Sequence, residues 1–288
     1  MDASLFSDIF LPIVLIVIMF GIGLSLEEKD FKNVFIYPRA ITLGLISQML
    51  LLPLIAFLLV SITSLPPVVK VGFILVSACP GGSASNLVAH LLRGNVALCI
   101  SLTALNSLLI LITLPLIVNL GLSAYLGQTE VIRLPVLDTI LKIFYTTLVP
   151  TFAGVYVRHR NMPLAIRLGK PMRYIMTILL FTVFGVLILL EERSTEAGIS
   201  QYGYLFSYAI ALNFIAMVAG YIFPRMMGMD NRNNYTISVQ VGMQNSALAI
   251  YVASSLLENR EMAMVAVVYS SFTFFSTLFF GYLAKRFG

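Results

Sequence analysis

Cys79-Pro80-Gly81-Gly82-Ser83-Ala84-Ser85-Asn86 lies in the middle of an apolar segment running from about Lys70 to Leu92. Pro80 removes a backbone donor and clashes with the turn before it. Gly81 and Gly82 each cost a helix about 1 kcal/mol relative to alanine. In hydrocarbon the freed backbone groups have no water to bind, so such a break survives only inside protein or beside a wet cavity. Ser83, Ser85 and Asn86 bring side-chain oxygens to that point. A second stretch of the same kind, Gln240-Val241-Gly242-Met243-Gln244-Asn245-Ser246, interrupts an apolar segment far downstream. Paired interruptions in corresponding halves of a chain point to a binding site between repeats in a membrane transporter.

Working outward, the composition fits this reading. The 288 residues are 59% hydrophobic and 11% charged, against about 25% charged in ordinary soluble domains. Mean hydropathy is +0.95. A polytopic membrane protein with no separate soluble domain is expected, and the net charge of +5 does not signal nucleic-acid binding. No cleavable signal peptide is evident: the first apolar run lacks a basic leader and runs into an acidic loop. Cys79 and Cys99 both fall in apolar segments and suggest no disulfide framework.

Nine apolar segments are near the length a bilayer requires, at about 7–26, 40–61, 70–92, 95–122, 134–157, 171–190, 203–223, 234–257 and 262–284. The expected fold is all-α and polytopic, a single domain over 1–288 with two discontinuous crossing helices, the third and the eighth. An offset of five segments inverts one relative to the other, so an inverted-topology repeat is expected, repeat one over about 7–122 and repeat two over about 134–284. The fifth segment has no counterpart. Pro53 and Pro115 predict kinks in the second and fourth. Lys29, Lys32, Arg39, Arg93, Arg158, Arg160, Arg167, Lys170, Arg173, Arg225, Arg232, Lys285 and Arg286 fall on one side. Lys70, Arg133, Arg193 and Arg260 fall on the other. Thirteen against four places the N-terminus outside and the C-terminus in the cytoplasm.

Neutral oxygens dominate the candidate chemistry. Ser83, Ser85 and Asn86 follow the first break; Gln48, Thr103 and Asn106 on neighbouring segments are placed to face them. Gln240, Gln244 and Asn245, with the carbonyls of Val241 and Met243, form the second set. Such ligands suit a hard monovalent cation, and the helix starts after each break suit an anion. No carboxylate lies in this region. Asp138 and Lys142 have the spacing of an i,i+4 ion pair, and Glu191 and Glu192 read as interfacial. His90 and His159 are too far apart in sequence to suggest a metal site. The sequon at Asn234-Tyr235-Thr236 falls on the cytoplasmic side and is discounted. No zinc-protease motif, nucleophile elbow or phosphate loop is present, so the chain does not read as an enzyme or an ATP-driven pump.

At the two breaks the sequence resembles the bile acid:sodium symporter family. Cys79 to Asn86 with Arg93-Gly94-Asn95-Val96-Ala97-Leu98 matches that family's first crossover. Val241-Gly242-Met243-Gln244-Asn245-Ser246 matches the second, and Met19-Phe20-Gly21-Ile22-Gly23-Leu24 an early helix. The resemblance implies a core and a panel domain that move against each other, in a nine-span form lacking the first helix of ten-span bacterial members. It implies one sodium site at Ser85, Asn86 and Thr103, and another at Gln48, Gln244 and the backbone of Val241 and Met243. A shared carboxylate of the family is Gln240 here, and a serine ligand is Cys99. Two cations around a neutral Gln240 leave an extra charge to desolvate, so weaker or fewer sodium ions are expected. Ser83, Asn106, Asn245 and Thr273 mark the substrate crossover.

The function expected is a secondary transporter of an organic anion, bile-acid-like or a small carboxylate, coupled to sodium and altered by Gln240. It would act as a monomer in the plasma (inner) membrane. A sodium-independent facilitator or exchanger on the same fold is the alternative, followed by a non-transporting receptor and by a metalloid oxyanion exporter using Cys79.

Overall fold

The computed structural model describes residues 5–127, 135–194 and 198–287. Arg133, which was counted in the charge bias, and residue 134, where repeat two was expected to begin, lie outside them. The described residues are helical apart from short connections and one isolated bridge. In chain order the helices are α1 (Phe6–Gly23), α2 (Glu28–Ile36), α3 (Pro38–Ser61), α4 (Pro67–Ala78), α5 (Ala84–Leu91) and α6 (Val96–Tyr125). They continue as α7 (Val136–Arg160), α8 (Met162–Ser194), α9 (Leu205–Met226), α10 (Asn231–Gly242), α11 (Ser246–Leu256) and α12 (Arg260–Phe287). Seven are long and apolar enough to cross a membrane: α1, α3, α6, α7, α8, α9 and α12. The two segments expected to break are each divided, into α4 with α5 and α10 with α11.

Prolines shape the long helices in a way the sequence reading only half anticipated. Single π-turns at Phe6–Phe10, Ser47–Leu51 and Phe144–Leu148 each end two residues before a proline, at Pro12, Pro53 and Pro150. A proline has no N–H to return to the carbonyl four residues back, and the ladder widens over the turn before it. Pro53 was expected to kink its helix. Pro12 and Pro150 follow a π-turn in the same way, and Pro115 lies inside the continuous α-helix α6.

The charged connections are more ordered than expected. Residues 27–39, read as a loop, contain α2, whose start is closed by a reciprocal capping box of Glu27 and Asp30. The 158–170 connection shrinks to Asn161, because α7 runs to Arg160 and α8 begins at Met162. Asn161 Oδ1 accepts from the N–H of Leu164 at 3.0 Å, and Pro163 in the first turn costs nothing there, since its N–H would be unpaired anyway. Asp138 and Lys142 make no ion pair among the described residues; both are exposed. Among the described residues, ion pairs gather instead at the start of α2: Glu27 with Lys29 at 2.6 Å and Arg158 at 2.5 Å, and Glu28 with Lys32 at 3.9 Å; His159 Nδ1 lies 2.9 Å from Glu28.

Two groups of helix contacts stand out, joined where α6 meets α7, α11 meets α1 and α12 meets α8. α1 packs on α7, and α8 lies beside both. A side chain at Gly154 would sit 2.5 Å from the Phe20 carbonyl oxygen, and one at Gly23 would sit 2.1 Å from that of Thr151. The α1–α7 contact is therefore backbone on backbone, the close approach that small residues give membrane helices. In the second set α4 lies between α6 and α12, α10 runs along α9, and α3 joins α4 and α9.

Candidate functional site

Breaking an apolar helix frees backbone groups, and here each break satisfies the other. After Ala78 the chain turns extended at Cys79 (φ −71°, ψ 151°); after Gly242 it does so at Met243 (φ −118°, ψ 104°). The two extended pieces lie antiparallel and bridge at Gly81 and Gln244. The Gly82 N–H donates to the Met243 carbonyl at 2.9 Å, and the Asn245 N–H donates to the Pro80 carbonyl at 2.8 Å. The two bonds pair the Gly82 and Asn245 N–H groups and the Pro80 and Met243 carbonyls, four of the backbone groups that the breaks release. Gly81 is required for the approach: a Cβ there would meet Gln240 Nε2 at 2.1 Å.

Side chains from α3, α6 and α10 close around the crossing in two clusters. In the first, Gln240 is fully buried. Its Oε1 accepts from the Ser85 hydroxyl at 2.6 Å and the Cys99 thiol at 3.1 Å, and its Nε2 donates to Thr103 Oγ1 at 3.2 Å. Cys99 and Thr103 are four residues apart on α6, so they lie on one face. In the second, Gln48 Nε2 donates to Gln244 Oε1 at 2.7 Å and to the Cys79 carbonyl at 3.1 Å. Gln244 Nε2 in turn donates to the Val241 carbonyl at 2.6 Å. Gln48 Oε1 and Asn86 Oδ1 are buried with no hydrogen-bond partner, as are both polar atoms of Asn106. An unpaired buried polar atom is costly, so these point to groups that receive something else. Among the described residues no set of three or more His, Cys, Asp or Glu could hold a metal ion. Any cation here would be held by neutral oxygen.

A third group escaped the sequence reading. Asn213 of α9 donates from Nδ2 to the Gly242 carbonyl at 2.7 Å, and the Tyr269 hydroxyl of α12 donates to the same oxygen at 3.2 Å. The Ser276 hydroxyl holds Asn213 Oδ1 at 2.7 Å. The last carbonyl of α10 is thereby anchored just before the chain unwinds. A lone asparagine in the apolar run of α9 was the available signal.

Residues 12–198 match the family model of the Sodium Bile acid symporter family. The chain belongs to this family. It is 31% identical over 254 residues to the "Uncharacterized sodium-dependent transporter YocS" of Bacillus subtilis, across 88% of this chain and 76% of the relative. It is 30% identical over 256 residues to the "Probable sodium/metabolite cotransporter BASS1, chloroplastic" of Arabidopsis thaliana, across 89% of this chain and 62% of the relative. Against the human ileal sodium/bile acid cotransporter, identity is 26% over 288 residues, 94% of this chain and 78% of the relative. The family is one of transporters rather than enzymes, and the apolar helices agree with an integral membrane protein.

The cation residues expected from the resemblance are distributed unevenly. Ser85 and Thr103 are tied to Gln240, while Asn86 is not. Gln48, Gln244 and the Val241 carbonyl share one chain of bonds, and the Met243 carbonyl takes part in the backbone bridge. The four residues expected for substrate are not joined to one another by a side-chain hydrogen bond among the described residues. Asn245 caps α11, accepting from the Leu248 N–H at 3.2 Å. Ser83 is half-buried at the start of α5, Asn106 is fully buried on α6, and Thr273 is buried on α12, one turn from Tyr269. The discounted sequon residue Asn234 is 1% exposed and donates to the Met229 carbonyl.

Proposed function

We propose that this chain is a sodium-coupled secondary transporter of an organic anion, bile-acid-like or a small carboxylate. The carrying observation is the buried carboxamide cluster at the reciprocal crossing, where Gln48 Oε1 and Asn86 Oδ1 lack partners. Unpaired oxygens of neutral side chains suit a desolvated monovalent cation, and the starts of α5 and α11 supply N–H groups for an anion. Sodium and a bile acid or metabolite stand in the names of the relatives. Nine crossings follow if α4 with α5 and α10 with α11 each traverse the bilayer. The set α1, α7 and α8 is then the panel, and α3 to α6 with α9 to α12 the core; alternating access moves one against the other. Two inverted repeats, about 7–122 and 134–284, supply the core symmetrically. The bias of basic residues supports a cytoplasmic C-terminus and an outside N-terminus; the proposed unit is a monomer in the plasma (inner) membrane.

The test is uptake into proteoliposomes of a bile acid and of a small keto acid, with an inward sodium gradient or with potassium in its place. Accumulation that needs the sodium gradient is expected for one of these probes. A second reading, a sodium-independent facilitator or exchanger, draws on the hydrogen bonding of Gln240 to Ser85, Cys99 and Thr103. It predicts equal uptake in sodium and in potassium.

A further inference from the structure

The two clusters at the crossing differ in what they leave unbonded. Around Gln240, Oε1 lies 2.6 Å from the Ser85 hydroxyl and 3.1 Å from the Cys99 thiol; the single Ser85 hydrogen is shared with the Gly82 carbonyl, and the single Cys99 hydrogen with the Ser85 oxygen. The Nε2 group faces Thr103 as a donor, and Thr103 gives its own hydrogen to the Cys99 carbonyl at 3.0 Å. A cation entering here would meet a donor N–H₂ and compete with two hydrogens for the carboxamide oxygen. Around Gln48 the arrangement is reversed. Its Nε2 is used twice, while Oε1 is buried and spare. The Val241 carbonyl keeps a second lone pair beyond the one taken by Gln244. Gln48 itself is 2% exposed.

Charge leads to the same division. No Asp or Glu takes part in either cluster's hydrogen bonds. Each cation bound in a neutral cage is an uncompensated charge in low dielectric. One monovalent anion at the crossing neutralises one cation and no more. Resting on the sodium-coupled reading above, we propose that the Gln240–Ser85–Cys99–Thr103 cluster is a neutral plug that binds no ion. The chain carries one sodium ion, held at the Gln48–Gln244–Val241 cluster, and transport of a monovalent anion is electrically neutral. Asn86 Oδ1 and Asn106 Oδ1 are also buried without partners, and neither is hydrogen-bonded to this cluster.

Equilibrium binding of ²²Na⁺ to the purified full chain, with potassium as the balancing ion, tests this without knowledge of the anion. One ion per chain with a Hill coefficient of about 1 is expected, rising to two ions in Gln240→Glu. Thr103→Val should leave the affinity within about twofold, because its hydroxyl serves the plug. Gln48→Leu should weaken it by tenfold or more. The last two variants carry the test if Gln240→Glu does not fold. Two ions bound to the unaltered chain would sink the plug while leaving sodium coupling intact. Strong loss in Thr103→Val with none in Gln48→Leu would assign the ion to the wrong cluster and also overturn the proposal. No binding at all would remove the sodium-coupled reading together with this one.

Discussion

At Gly81 a hydrogen in place of a side chain leaves room for the Gln240 carboxamide beside the crossing. A methyl group there would press on the Gln240 carboxamide at 2.1 Å, whose own position is fixed by three hydrogen bonds. Gly81→Ala is therefore expected to lose about 1–3 kcal/mol, the usual range for overpacking, read as a lower unfolding temperature in detergent. Asn213 acts through bonding rather than space. Asn213→Ala would leave the Gly242 carbonyl and the Ser276 hydroxyl short of a partner in the interior, at about 1–3 kcal/mol. Tyr269→Phe removes one of two donors to the same oxygen and should cost less, about 1 kcal/mol. Thermal unfolding of both variants would show the order; equal losses would mean that the Gly242 carbonyl is not the shared anchor. The polar residues near Pro80 and around Gly242 were legible because they stand out in apolar runs. Asn213 was equally visible in sequence, but its role depends on α9 and α12 both facing the end of α10.

Among the elements, the start of α6 joins the two halves of the crossing. Asn95 accepts from the Leu98 N–H at 3.1 Å as the cap of α6, and its Nδ2 donates to Asn233 Oδ1 on α10 at 2.8 Å. Its backbone N–H reaches Thr236 Oγ1, and Arg232 reaches the Gly94 carbonyl. Asn95→Ala should lose both the cap, about 1 kcal/mol, and the tie to α10. Asn95→Asp keeps the cap and loses only the donor. A smaller fall in unfolding temperature for Asp than for Ala is expected. The α1–α7 pair is held differently, by the bare backbone at Gly23 and Gly154. Periodicity and proline content were enough to locate most helices. They do not locate α2 or the first turns of α8, because the charged residues there carry no apolar periodicity. There a capping box and an asparagine cap start a helix whose polar face needs no burial.

At the scale of the whole molecule, a group of ion pairs sits where α1, α2 and α7 meet. Glu27 is held below the ordinary carboxylate range, chiefly by its bond to Lys29 and then by Arg158. Lys29 is raised by the same contact. Asp30 beside them is pushed up by burial. A carboxylate with a lowered folded pKa stabilises the fold above its unfolded value, near 4.5, and loses that contribution as pH falls through the folded value. Asp30 has the opposite sign and favours the fold less as pH rises past its unfolded value. Glu27→Gln should thus be less stable than the unaltered chain at neutral pH, with the gap closing below about pH 4.5. Unfolding temperatures across pH 3–7 would check this; a gap that persists at pH 3 would place the effect in packing rather than charge.

Sequence alone determined that the chain is all-helical and apolar throughout, where its two interior breaks fall, and which polar residues surround them. Those follow from composition, from the roughly 20-residue bilayer length, and from the misfit of proline and glycine in a helix interior. Only the tertiary structure decided how the breaks are satisfied. The antiparallel bridge pairs residues more than 150 positions apart, at Gly81 and Gln244, and no local pattern encodes that partner. It also decided which oxygens are spent and which are spare. Gln240 and Gln48 are the same residue type in similar apolar surroundings. One has Ser85, Cys99 and Thr103 within hydrogen-bond reach of both its amide atoms, and the other keeps an unpaired oxygen. Hydrogen-bond capacity belongs to the residue, but its use is fixed by the helices that meet around it.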